Sequence, residues 1–117
     1  MSDTILHTMD QYHAALAAHP RVLLFKHSPI CPTSATAHRE WVDFASRYPD
    51  VPRLFVDVIG ARPVARGLAE ASGIPHQSPQ AILFEDGVPV WHASHWHITF
   101  ESLVTAWSTD AREPSGS

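Results

Sequence analysis

The sequence predicts an α/β fold in which a mixed central sheet carries helices on both faces. Short apolar runs, each typical of a strand buried on both faces, alternate with longer segments whose apolar residues recur at helical spacing. Near the end of the chain, Asp86-Gly87 separates two strand-like runs and is a strong signal for an antiparallel hairpin. The predicted order is therefore β-α-β-α-β-α-β-β-α, which requires a layered arrangement.

The chain begins with a short strand at residues 5–7, followed by a helix that ends before Pro20. Thr8 and Gln11 have the spacing of a capping box, in which two side chains satisfy free N–H groups at the start of a helix. Residues 22–25 then form a continuous apolar run. A run of this length between two turn signals predicts a buried strand.

A long amphipathic helix follows, with Pro32 in its first turn, where the missing N–H of proline costs nothing. Its apolar stripe consists of Ala37, Trp41, Phe44, Ala45 and Tyr48. Residues 54–59 are the second candidate for a buried strand. Pro63 opens the next helix, and Gly73 is its expected C-cap, because glycine readily adopts the left-handed conformation that ends many helices.

Residues 81–84 are the third apolar run and predict the first strand of the hairpin. Pro89 places the return strand at the edge of the sheet, because proline cannot donate a hydrogen bond to a neighbouring strand. Thr99 is the expected N-cap of the final helix. We expect residues 1–109 to form one domain and the polar residues 110–117 to form a disordered tail.

The composition excludes several classes of function. The chain has 117 residues, a net charge of −4 and only 8 Lys and Arg, so nucleic acids and anionic membranes are not expected partners. No apolar run is long enough to span a membrane. A single cysteine rules out an internal disulfide and is typical of the reducing cytoplasm. We expect a cytoplasmic monomer.

Cys31 is the candidate nucleophile, because it lies where a strand leads into a helix. The free N–H groups and the dipole of a helix start favour a thiolate, which is the reactive form. This arrangement is that of the thioredoxin fold, whose redox motif is usually Cys-x-x-Cys. Here Ser34 takes the fourth position. An adduct on Cys31 must then be resolved by a thiolate from another molecule, and the Ser34 hydroxyl can hydrogen-bond the sulfur.

Two basic residues just before Cys31 could stabilise its thiolate further. We expect Lys26 to be slightly better suited than His27, because it is charged at all relevant pH values. Lys26 could also bind a carboxylate of an incoming small thiol. The alternative is that one of the two is solvated and the other packs beside the strand.

Ser78-Pro79 precedes the third buried strand, at the place where thioredoxin-like proteins have a cis-proline facing the active-site sulfur. The backbone there can pair with an extended segment of substrate, and Gln80 could contact that segment as well. Among the nine histidines, His92, His95 and His97 form a cluster without a completing cysteine or carboxylate, so we expect no metal site. A helix-capping or hydrogen-bonding role suits His95 better.

Several motifs resemble those of the monothiol bacilliredoxins, thioredoxin-fold proteins of bacteria that make bacillithiol. The matching segments are Lys26-His27-Ser28, Cys31-Pro32 with Ser34, Ala61-Arg62-Pro63, Ser78-Pro79-Gln80, Trp91-His92-Ala93-Ser94-His95 and Ile98-Thr99. They occur in the same order and spacing between about residue 22 and residue 107.

The resemblance implies a thiol-disulfide oxidoreductase in which Cys31 takes bacillithiol off modified protein cysteines. A Cys31–bacillithiol mixed disulfide would be the intermediate, and another bacillithiol would reduce it. Bacillithiol is then a co-substrate, with no tightly bound cofactor, and the partners are S-bacillithiolated proteins. Pro32 and Thr33 belong to the expected site. Lys26 and Gln80 are the candidates for contacting the malate and sugar of bacillithiol.

Two alternatives remain open. One is a protein of the monothiol glutaredoxin type that uses glutathione or carries an iron–sulfur cluster, although Pro32 and Thr33 stand where those proteins have Gly and Phe. The other is a thioredoxin-like adaptor without catalytic activity, whose cysteine would alkylate slowly. A peroxidase is excluded, because the Pro and Thr expected upstream of its reactive cysteine are missing.

Overall fold

The computed structural model describes residues 3–108. Its strands are β1 (Thr4–Ile5), β2 (Arg21–His27), β3 (Arg53–Asp57), β4 (Gln80–Glu85) and β5 (Val88–Ser94). Its helices are α1 (Met9–Ala18), α2 (Pro32–Arg47), α3 (Arg62–Ser72) and α4 (Phe100–Ser108), and a 3₁₀ turn covers His95–His97. The tail predicted at residues 110–117 lies outside the described residues.

The five strands form one mixed sheet in the order β1-β3-β2-β4-β5. β3 is parallel to both β1 and β2, whereas β4 is antiparallel to β2 and to β5. The predicted element order, the terminal hairpin and the edge position of the strand with Pro89 are therefore confirmed. The hairpin contains a register shift beside Pro89, where one extra residue of β5 is accommodated.

Two apolar cores lie on opposite faces of the sheet. On one face, α1 and α3 cover a cluster that includes Val22 and Leu24 of β2. On the other face, α2 and α4 cover a cluster that includes Leu23 and Phe25. Because successive side chains of a strand point to opposite faces, Lys26 lies on the side of α1 and α3, and His27 lies on the side of α2.

The predicted helix ends are confirmed at three places. Thr8 and Gln11 form the complete capping box of α1. Gly73 ends α3 with φ of 74°, the left-handed conformation for which glycine is suited. The Thr99 hydroxyl accepts a hydrogen bond from the backbone N–H of Ser102 at 3.0 Å, which caps α4.

Two predicted strand ends differ from the structure, and one short element was not predicted. The first strand ends at Ile5 instead of continuing through residue 7. β3 ends at Asp57 instead of residue 59, because the Asp57 carboxylate accepts hydrogen bonds from the N–H groups of Ile59 and Gly60 and so turns the chain. The 3₁₀ turn after β5 was not predicted. Within the described residues, no helix is long and apolar enough to cross a membrane.

Candidate active site

Cys31 is the N-cap residue of α2, with an extended backbone and a half-buried side chain. Its N–H donates to the Ser28 carbonyl at 3.1 Å, and its carbonyl accepts from Ala35 at 3.1 Å. Pro32 follows as the first helical residue, and among residues 3–108 no side-chain hydrogen bond caps this helix start. The sulfur therefore lies at the positive end of a 16-residue helix, as the sequence predicted.

Ser34 is fully buried one turn into α2. Its hydroxyl lies 2.8 Å from Nδ1 of His27 and accepts a hydrogen bond from the Ser28 N–H at 2.9 Å. Within residues 3–108, no hydrogen bond joins it to the Cys31 sulfur, so the expected contact is replaced by two contacts to the preceding loop. Ser34 thus fixes the segment that carries Cys31 without a hydrogen bond to the thiol among the described residues.

His27, not Lys26, contacts the Cys-x-x-Ser segment. Burial and, second, the neighbouring His38 lower the pKa of His27, while Asp57 acts in the opposite direction. The two imidazole rings are 4.7 Å apart between centroids. The direction of this hydrogen bond depends on the tautomer: with its proton on Nε2 the neutral ring accepts from the Ser34 hydroxyl at Nδ1, and with its proton on Nδ1 it donates to the hydroxyl oxygen.

Lys26 is only 1% exposed and donates from Nζ to Oε1 of Gln80, its cross-strand partner, at 3.1 Å. Gln80 is equally buried and donates to the Pro75 carbonyl at 3.3 Å. Burial lowers the pKa of Lys26 from 10.5 to about 8. Lys26 is therefore charged below about pH 8 and loses its charge above it, instead of staying charged at every relevant pH. These two side chains are buried and hydrogen-bonded to each other, and their expected contact with a ligand stays a prediction.

The Ser78-Pro79 peptide bond is cis. The Pro79 carbonyl accepts a hydrogen bond from the backbone N–H of His95 at 3.1 Å. His95 adopts φ of 53°, which starts the 3₁₀ turn that local sequence patterns did not indicate. Within residues 3–108, no group of three or more His, Cys, Asp or Glu side chains is arranged to hold a metal ion.

A groove of about 390 Å³ lies beside the cysteine. Ser28 and Ile30, from the loop before Cys31, form one part of its wall, and Ser78 lies in the same wall. Arg62 and Arg66 of α3 and His76 also line it, and sequence reasoning did not single out any of these three as ligand-binding residues. Their spacing of one helical turn placed the two arginines on one face of α3, but no local pattern showed that this face meets the Cys31 loop.

Comparisons with known proteins agree with this geometry. The family model described as monothiol bacilliredoxin BrxC matches residues 4–103, which confirms the resemblance seen in the sequence. A solved structure described as a candidate oxidoreductase with a thioredoxin fold is 30% identical, with a TM-score of 0.84, over 90% of this chain and 93% of that chain.

Two thioredoxins of lower identity share the fold. The thioredoxin of Fasciola hepatica is 15% identical, with a TM-score of 0.72, over 90% of this chain and 96% of its own. The thioredoxin of Trypanosoma brucei brucei is 14% identical, with a TM-score of 0.73, over 92% of this chain and 93% of its own. The predicted α/β fold of the thioredoxin type is therefore confirmed.

Proposed function

Because the chain belongs to the monothiol bacilliredoxin family of thioredoxin-fold thiol oxidoreductases, we propose that it removes bacillithiol from S-bacillithiolated proteins. The observation that carries this proposal is the site itself. The only cysteine of the chain starts α2, and the position one turn later is a buried serine. No second thiol of this chain can resolve an adduct, so a thiolate of another molecule must do so, and we propose that it is free bacillithiol.

The reaction consists of two thiol–disulfide exchanges. In the first, the Cys31 thiolate attacks the bacillithiol sulfur of the mixed disulfide on the client protein. The Cys31–bacillithiol bond forms, the old S–S bond breaks, and the client cysteine leaves as a thiolate that takes up a proton. In the second, the thiolate of free bacillithiol attacks the same sulfur. Bacillithiol disulfide leaves, and the Cys31 thiolate is restored with no net change in the protein.

The side chains around Cys31 have separate roles in this reaction. Pro32 and Thr33 form the first turn whose dipole favours the thiolate, and Ser34 with His27 holds that turn against the preceding loop. Ser78, directly before Pro79, offers its backbone to the extended client segment. Ile30 is 82% exposed beside Cys31 and gives the client an apolar contact.

The proposal extends to the whole protein. Residues 1–109 form its folded domain, and bacillithiol serves as a dissociable co-substrate. Clients are S-bacillithiolated proteins, which the protein meets in the cytoplasm as a monomer. Because the groove, Cys31 and the Ser78-Pro79 segment all belong to one chain, a second subunit is not required for the reaction.

Intact-mass measurement tests the function. After incubation with bacillithiol disulfide, the wild-type protein should gain the mass of one bacillithiol, and Cys31→Ser should gain none. Added bacillithiol should then restore the original mass. If the wild-type protein forms no adduct while iodoacetamide still alkylates Cys31, the proposal fails. A parallel incubation with glutathione disulfide distinguishes a glutathione-dependent protein.

A further inference from the structure

The groove beside Cys31 has the size and position of a binding site for a small molecule. Its volume of about 390 Å³ lies in the usual range of small-ligand sites. It is lined by Ser28 and Ile30, in the segment directly before Cys31, and by Arg62 and Arg66 of α3. A ligand whose sulfur reaches Cys31 would therefore place its remaining atoms against α3.

The groove is positively charged in a protein whose net charge is −4. Arg62 and Arg66 are exposed one turn apart, and neither forms a salt bridge with a carboxylate among residues 3–108. By contrast, Arg21, Arg47 and Arg53 each form one. No acidic residue of the described chain lines the groove, so its two guanidinium groups are available to an anion.

Lys26 of β2 adds to the positive charge of the groove from inside the protein. It is buried on the face of the sheet that carries α3, and its charge, second to burial, lowers the pKa of His76 in the groove wall. Its ammonium group is fixed by Gln80 and does not reach the ligand. Lys26 therefore makes the electrostatic potential in the groove more positive, whereas the two arginines contact the ligand.

We propose that Arg62 and Arg66 bind the carboxylates of the small thiol that reacts at Cys31, and that this thiol carries two of them. The proposal rests on the proposed function and identifies the two residues that bind its small thiol. Each guanidinium offers a planar fork that fits a carboxylate in a bidentate manner. A dicarboxylate such as the malate portion of bacillithiol fits two forks one turn apart. The ammonium group beside one carboxylate of glutathione would face the same two cations, so the groove discriminates against glutathione.

Kinetics with two disulfides test this site. Arg62→Gln and Arg66→Gln should each slow adduct formation with bacillithiol disulfide about fivefold, the effect of about 1 kcal/mol for an exposed ion pair. Reaction with 2-hydroxyethyl disulfide, which is uncharged, should remain unchanged. The matched control is Arg39→Gln, an exposed arginine of α2 that does not line the groove. Equal losses with both disulfides, or no loss with either, would overturn the proposal.

Titration with malate alone separates the site from the reaction. In ¹H–¹⁵N NMR spectra of the wild-type protein, malate should shift the Nε–H signals of Arg62 and Arg66 and the backbone signals of Ser28 and Ile30. The double variant Arg62→Gln/Arg66→Gln should lose these shifts, and Arg39→Gln should keep them. If malate shifts no groove signal, the site is wrong even if bacillithiol forms an adduct. If malate binds but no bacillithiol adduct forms, the proposed function is wrong and the carboxylate site stands.

Discussion

Ser34 occupies the position of the second thiol in a Cys-x-x-Cys motif, but its hydroxyl forms hydrogen bonds with the segment before Cys31. It accepts from the buried Ser28 N–H and pairs with His27. The consequence of removing it should therefore be structural first. A serine at this place does two things at once: it excludes internal resolution of an adduct, and it closes the loop that presents Cys31.

Ser34→Ala should lower the free energy of unfolding by about 1–3 kcal/mol, because it leaves the Ser28 N–H buried without an acceptor. Thr36→Ala is the matched control, since Thr36 is exposed and its hydroxyl donates a single long hydrogen bond within the described chain, to the Pro32 carbonyl at 3.4 Å. That change should cost less than about 0.5 kcal/mol. Urea unfolding of both variants measures the difference. Equal effects would show that the buried contacts contribute nothing to stability.

Lys26 makes stability depend on pH in the alkaline range. The lowering of its pKa from 10.5 to about 8 corresponds to about 3 kcal/mol, since one pKa unit is worth about 1.4 kcal/mol. Between these two pH values the unfolded chain binds the proton and the folded protein does not. The free energy of unfolding contributed by this group therefore rises with pH across that window, and the burial cost is fully present below it.

The comparison with Lys26→Met isolates this contribution. From pH 8 to pH 10.5, wild type should gain up to about 3 kcal/mol relative to the variant. The variant also leaves Gln80 without its donor, but that effect is a constant offset and does not change the slope. Denaturant unfolding at several pH values measures it. If the difference in the free energy of unfolding between wild type and variant is constant over this pH range, Lys26 titrates normally.

At the scale of elements, a buried arginine joins α2, β3 and the start of the chain. Arg53 donates from Nε to Asp3 Oδ1 at 2.6 Å, and the other oxygen of Asp3 accepts from Trp41 Nε1 at 2.7 Å. Arg53 also donates to the carbonyls of Tyr48 and Val51 in the loop between α2 and β3. This network fixes the end of the helix whose opposite end carries Cys31.

Asp3→Ala should therefore lower the free energy of unfolding by about 3 kcal/mol, because it removes the carboxylate from an arginine side chain that is only 2% exposed. Asp43→Ala serves as the control. Its partner Arg47 is 65% exposed and the two lie one turn apart on α2, so its loss should cost no more than about 0.5 kcal/mol. Thermal or urea unfolding compares the two. Similar costs would mean that burial does not strengthen the pair to Arg53.

At the scale of the molecule, the elements could be predicted because their signals are local. Apolar runs marked β2 and β4, and Thr8, Gly73 and Thr99 marked helix ends. The strand order could not be read in this way, since it depends on pairings between distant segments.

The same limit applies to the site. Cys31 was found from the junction of a strand and a helix, which is a local feature. The faces of β2 follow from its alternation, but which of Lys26 and His27 meets the Cys-x-x-Ser segment depends on which face α2 covers. Arg62 and Arg66 reach the groove only because the chain crosses over between β3 and β4.

The boundary of the proposed domain can be tested by two truncations. A chain that ends at residue 109 should retain its free energy of unfolding within about 0.5 kcal/mol, because residues 110–117 are proposed to lie outside the folded domain.

A chain that ends at residue 99 loses α4, which buries Leu103 completely and Ala106 almost completely against the α2 side of the sheet. Loss of one buried leucine alone costs about 2–5 kcal/mol, so this shorter chain should be largely unfolded at 25 °C. Far-UV circular dichroism and urea unfolding distinguish the outcomes. If the chain ending at residue 109 is destabilised by more than about 2 kcal/mol, the folded domain extends into the tail and the proposed boundary is wrong.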